Sequence, residues 1–70
     1  MMNLIMLETI VFECMEKFAK ENCGEQGWTK EDIQNAVLKR GGKMEDVYEA
    51  MKIGLKICIE EDEGYKHFIS

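Results

Sequence analysis

The chain has 70 residues, enough for one domain with a small core, because a chain this short buries only about 60% of its unfolded surface. Its 14 acidic and 9 basic residues give a net charge of −5, which disfavours binding to nucleic acid and to anionic membranes. The three cysteines do not suit a secreted disulfide framework, and the N-terminus has neither a signal peptide's basic segment nor a membrane-spanning run, so we expect a cytoplasmic protein.

The first predicted element is a helix from Leu4 to about Asn22, with Asn3 as its N-cap. At about 100° per residue, its inward face is formed by Leu4, Leu7, Val11, Cys14, Met15 and Phe18. Other apolar side chains flank this face, so the apolar arc exceeds half of the circumference. We predict a homodimer that buries the surplus through Met6, Ile10, Phe12, Ile53 and Ile57. The competing interpretations are that the remaining helices or a different protein cover this surface.

The second helix, Thr29 to Arg40, has the clearest local signature in the chain. Thr29 is its N-cap, and Asp32 completes a variant of the capping box, with Trp28 as part of a hydrophobic staple. Gly41 fits the left-handed position that follows a helix C-terminus. The predicted inward face consists of Ile33, Ala36 and Val37.

The third helix begins near Met44, and the pattern leaves two endings open. Its amphipathic spacing persists to residue 60, which predicts a continuous helix and a three-helix bundle. The β-branched residues at Ile57 and Ile59 instead favour a strand, and Gly64 follows an acidic turn that suits a hairpin. We favour the hairpin, with its return strand over residues 65–69.

Catalytic and metal chemistry have little support. Zinc sites usually use closely spaced ligand pairs, yet no two of the candidate ligands lie within four residues of each other: Cys14, Cys23, Cys58 and His67. Gly41-Gly42 lacks the residues of a phosphate-binding loop, and a chain this small scarcely encloses a substrate pocket. We therefore expect no metal, no cofactor and no enzymatic activity.

The charges are unevenly placed along the chain. Residues 28–43 carry four basic and two acidic residues, whereas residues 44–70 carry seven acidic residues and three lysines. The candidate nucleic-acid contacts are Lys39, Arg40 and Lys43, at the turn before the third helix. In a helix-turn-helix, the helix after the turn enters the major groove. Here its first residues include Glu45, Asp46 and Glu49, which repel phosphates.

The segment from Gly27 to Phe68 resembles a winged helix-turn-helix domain. The resemblance is carried by residues 28–33 opening the second helix, residues 45–50 opening the third, and residues 59–65 as the wing. It implies a mainly α, single domain over residues 1–70, with three helices, a short C-terminal β-hairpin and a helix-turn-helix-like part over residues 28–70.

The chain departs from that family in two ways. Its recognition helix is acidic, and the linker into the wing has no glycine near residue 57. Winged helices also bind proteins, and these departures point to that use. We therefore expect a small acidic, non-enzymatic regulatory or adaptor protein that binds another protein, with a DNA-binding transcriptional regulator as the alternative.

Overall fold

The described chain folds into three helices that pack as a bundle. The computed structural model describes the backbone of residues 2–69 and the side chains of residues 2–59. Every helix contacts the other two. The helices are α1 (Leu4–Glu21), α2 (Lys30–Lys39) and α3 (Met44–Ile69).

Side-chain caps begin the first two helices where the sequence predicts them. The Asn3 side-chain oxygen accepts a hydrogen bond of 2.8 Å from the Met6 N–H, and the Thr29 hydroxyl accepts one of 3.1 Å from the Asp32 N–H. Each cap satisfies a backbone donor that has no partner within its own helix. Both predicted N-caps are therefore confirmed.

Left-handed residues end the same two helices. Gly41 follows α2 with φ of +83°, and the next N–H, that of Gly42, donates to the Val37 carbonyl at 3.0 Å. This is the Schellman arrangement, so the predicted role of Gly41 is confirmed. After α1 the equivalent position is held by Cys23, with φ of +56°.

The core is small and draws on all three helices. Its partly buried periphery includes Trp28, Met51, Ile53 and Ile57. Among the described side chains, eight apolar residues are buried: Leu7, Ile10, Val11, Cys14, Ile33, Val37, Val47 and Ala50.

Gly54 lets the Trp28 ring lie directly against the backbone of α3. A Cβ atom at position 54 would stand 2.5 Å from the Trp28 Nε1 and 2.6 Å from its Cε2, well inside van der Waals contact. Glycine in a helix interior is normally destabilising. Its presence here is explained by this close approach, which joins the loop before α2 to the middle of α3.

The predicted C-terminal hairpin is wrong. Within residues 2–69 the structure contains no strand, and α3 continues through the whole segment assigned to the hairpin. The reason is that Val47, Ala50, Gly54 and Ile57 follow helical spacing along the side of α3 that packs on the core. Tertiary packing and the ease of extending an existing helix together outweigh the local strand preference of Ile57 and Ile59. The alternative, a three-helix bundle, describes the fold.

The predicted inward face of α1 is also partly wrong. Ile10 was expected to be exposed, but it is fully buried, whereas Leu4 is 61% exposed. The core face is centred on Leu7, Ile10, Val11 and Cys14, a tighter set than the broad apolar arc indicates. Ile10 is therefore a core residue of the monomer.

We predict that Gly54→Ala destabilises the protein. Overpacking against Trp28 should lower the free energy of unfolding by about 1–3 kcal/mol, which exceeds the helix-propensity gain of about 1 kcal/mol. Urea unfolding measures the difference. In a Trp28→Leu background the same substitution should be less harmful, because the ring that it meets is gone. A Gly54→Ala protein as stable as the wild type would contradict the close contact.

Candidate protein-binding surface

An open groove runs between α1 and α3. One wall is formed by Leu4, Glu8 and Phe12, which lie one turn apart along α1. The other wall comes from α3 and consists of Ile53, Lys56 and Ile57. The groove has a volume of about 360 Å³, and we call it the α1–α3 groove. Four of its lining side chains are apolar, one is acidic and one is basic.

The apolar residues in the walls of this groove are incompletely covered. Phe12 is 56% exposed, and Ile53 and Ile57 are half-buried at the edge of the core. The structure thus brings together three of the five residues predicted as an interface, and it adds Leu4. Leu4 was not predicted as an interface residue, because helical periodicity places it in line with the core.

The other two predicted interface residues lie elsewhere. Ile10 is in the core. Met6 lines a separate depression on α1 together with Ile5, Thr9 and Arg40. A substitution of Ile10 would therefore disrupt folding, and Phe12 is the appropriate position at which to test the surface.

A second, larger groove continues from the first at Leu4. It has a volume of about 600 Å³ and lies between the N-terminal part of α1 and the first turns of α3. Its α1 side consists of Met2, Leu4 and Leu7, and its α3 side consists of Glu45, Asp46, Tyr48, Glu49 and Lys52.

Asp46 is the structural centre of this second groove. Its carboxylate is almost completely buried and accepts hydrogen bonds from the N–H of Lys43 at 2.9 Å and from the N–H of Met2 at 3.1 Å. The first bond caps α3, and the second ties the N-terminal segment to it. The sequence pattern places Asp46 among acidic residues that would face a nucleic acid. That assignment is wrong, because the Asp46 carboxylate is buried. No local pattern indicates this burial, since one of its partners is the backbone of residue 2, 44 positions away.

The electrostatics of Asp46 follow from these bonds. The Lys43 N–H and, to a lesser extent, the Met2 N–H hold the pKa of the Asp46 carboxyl below its ordinary value, against the opposing effect of burial. Asp32 also has a lowered pKa, because Lys17 donates to it at 2.8 Å and Thr29 adds a second hydrogen bond. Both carboxylates stabilise the fold in their ionised form.

The three candidate nucleic-acid contacts all lie at the surface around the α2–α3 turn. Lys39, Arg40 and Lys43 are exposed. Arg40 is already engaged, because its Nη2 lies 2.6 Å from Glu13 Oε2 on α1. This ion pair lowers the positive charge that the turn offers to a phosphate.

The cysteines differ in their surroundings. Burial, and then the nearby charges of Asp32 and Glu13, raise the pKa of the Cys14 thiol, so it stays protonated at neutral pH. Cys23 is exposed, and Cys58 is half-buried on α3. His67 lies outside the described side chains. In the described part of the chain, no group of three Cys, His, Asp or Glu residues is arranged to hold a metal ion.

We predict that the protein loses stability in acid and that Asp46→Asn removes part of this dependence. Because the folded-state pKa values of Asp46 and Asp32 are lowered, their stabilisation is complete above the unfolded-state pKa and is lost as the pH falls below about 4. An asparagine at position 46 has a single oxygen with which to accept from two N–H groups. The melting temperature of the variant at pH 7 should therefore be lower than that of the wild type. Thermal unfolding between pH 7 and pH 2 measures both effects. Equal melting temperatures of the two proteins at pH 7 would contradict the role of the carboxylate.

Comparison with known proteins adds no relative to these observations. No family model, curated protein or solved structure matches the chain significantly. Among the described residues, the helices are too short or too polar for any of them to cross a membrane.

Proposed function

We propose that this chain is a small acidic, non-enzymatic regulatory or adaptor protein that binds an amphipathic helix of another protein in the α1–α3 groove. The observation that carries the proposal is the exposed apolar surface of Leu4, Phe12, Ile53 and Ile57 within a defined groove. Apolar surface gathered in one depression is typical of an interaction site.

The shape and charge of the groove indicate the kind of partner. A groove between two helices accepts a third helix, whose apolar residues one turn apart enter it. Glu8 lies between Leu4 and Phe12 in the α1 wall, so the helix that fits best presents a basic residue to it. The net charge of −5 favours a partner that is basic as a whole.

Cys14 is not suited to act as a catalytic nucleophile. A nucleophilic cysteine needs a lowered pKa and access to a substrate. Cys14 has a raised pKa and is buried. Cys14 and Cys23 are free thiols, which suits the reducing cytoplasm that we propose as the setting.

The alternative function, a DNA-binding transcriptional regulator, would use Lys39, Arg40 and Lys43. Two observations argue against it. Arg40 is paired with Glu13, and the first turns of α3 present Glu45 and Glu49 to solvent. The resemblance to a winged helix is also weakened, because α3 runs through the segment that was expected to form the wing. A second copy of the chain is the competing occupant of the groove.

We predict that Phe12→Glu strongly weakens partner binding without unfolding the protein. Phe12 is exposed on α1, so a charge there is tolerated in the free chain but is desolvated once a helix fills the groove. The immobilised full chain would first capture partners from the native host. The affinity of each purified partner would then be measured by calorimetry, and Phe12→Glu should weaken it at least about tenfold.

Leu38→Glu is the matched control. Leu38 is 43% exposed on α2 and does not line the groove, so this variant should bind like the wild type. A partner that binds Phe12→Glu as tightly as the wild type would contradict the proposal. A salt-dependent micromolar shift of random duplex DNA, weakened by charge reversal at the three basic residues, would favour the alternative.

A further inference from the structure

A second apolar surface lies on α3. It is separate from the α1–α3 groove, although one of its residues, Tyr48, also lines the second groove. Four large side chains are each between 39% and 55% exposed: Met44, Tyr48, Leu55 and Ile59. At about 100° per residue, they fall within a narrow sector of the helix, with the half-buried Met51 beside them. We call these four residues the α3 stripe. Ile53 and Ile57, which line the α1–α3 groove, lie roughly on the opposite side of the helix.

The spacing of the stripe is symmetric. Its members are separated by four, seven and four residues, so the pattern reads the same from either end of the segment. Two copies of α3 could pack antiparallel about a two-fold axis near Met51. Tyr48 of each copy would then lie near Leu55 of the other, and Met44 would lie near Ile59. A symmetric dimer requires a surface that is complementary to itself, and this stripe fulfils that requirement.

A row of charged residues beside the stripe also has a symmetric spacing, and the two halves of the row carry opposite charges. The row consists of Glu45, Glu49, Lys52 and Lys56, separated by four, three and four residues. All four side chains are exposed. In an antiparallel pair, residues on corresponding flanks of the two helices face each other, so the glutamates of one copy lie beside the lysines of the other. A parallel pair would not bring the two rows together, because corresponding flanks then lie on opposite sides of the interface.

The ion pair within this row leaves its charged side chains able to interact with a second molecule. Lys52 Nζ lies 3.3 Å from Glu49 Oε1, and both side chains are more than half exposed. An exposed intrahelical pair of this kind contributes little stability, so each partner can rearrange toward a charge on another molecule. The apolar stripe and the charged row thus favour the same occupant in the same orientation.

We infer that the α3 stripe is the interface of an antiparallel homodimer, in which Glu45 and Glu49 of one copy face Lys52 and Lys56 of the other. This inference places the dimer on α3 instead of on α1, where the predicted interface residue Ile10 is buried in the core. It does not depend on the proposed function. Four large side chains per copy form a small interface, so we expect a dimer with a dissociation constant on the order of micromolar or weaker.

The test is a charge exchange between two full-length variants. Glu45→Lys/Glu49→Lys makes the row entirely basic, and Lys52→Glu/Lys56→Glu makes it entirely acidic. Sedimentation equilibrium from about 10 μM to about 1 mM should show a monomer–dimer equilibrium for the wild type, based on the 8.1 kDa chain. Each variant alone should associate at least about tenfold more weakly, and their equimolar mixture should recover dimer formation.

The controls separate this surface from the others. Ile5→Glu changes the most exposed apolar residue of α1, at 75%, and should dimerise like the wild type. Dimerisation of the wild type should also weaken as salt is added, since exposed ion pairs are screened; this result needs no variant. A monomeric wild type at the highest concentration, or variants that associate as well alone as mixed, would overturn the inference. Loss of dimer in Phe12→Glu would place the interface in the α1–α3 groove and would also overturn it.

Discussion

The placement of α1 against α3 depends on one buried carboxylate. Asp46 accepts hydrogen bonds from Lys43, in the turn that leads into α3, and from Met2, in the segment that leads into α1. A buried carboxylate without partners would be strongly unfavourable, so folding must bring both N–H groups to it. This requirement sets where α1 begins relative to α3. The α1–α3 groove, which lies between these two helices, inherits its geometry from that bond.

The functional proposals follow from how little core the chain can build. A three-helix bundle of this size buries eight apolar side chains among its described residues, while α1 and α3 carry many more. Much of this surplus is gathered on two surfaces. Part of it lines the groove at Phe12 and Ile57, and part forms the α3 stripe, with a charged row between them. Two separate apolar surfaces on a small acidic protein suit an adaptor that pairs with itself through one surface and holds a partner in the other.

Local signals in the sequence were sufficient where the interaction itself is local. Asn3, Thr29 and Gly41 act within four residues of their partners, and all three were predicted correctly. The hairpin was wrong because strand preference at Ile57 and Ile59 is local, whereas the packing that keeps α3 helical involves the other helices. Ile10 and Asp46 were misplaced for a related reason. Their burial depends on contacts with distant segments, and no periodicity indicates that residue 46 will meet the backbone of residue 2.

The role of Asp46 can be measured by NMR titration of its side-chain carboxyl carbon together with the amide protons of Met2 and Lys43. The hydrogen bonds require the carboxyl to titrate below the ordinary pKa of an aspartate, and both amide protons should shift with the same midpoint as the carbon. An ordinary pKa at Asp46, with a Met2 amide that does not respond, would show that this carboxylate does not hold α1 to α3 and would contradict the account of how the groove is formed.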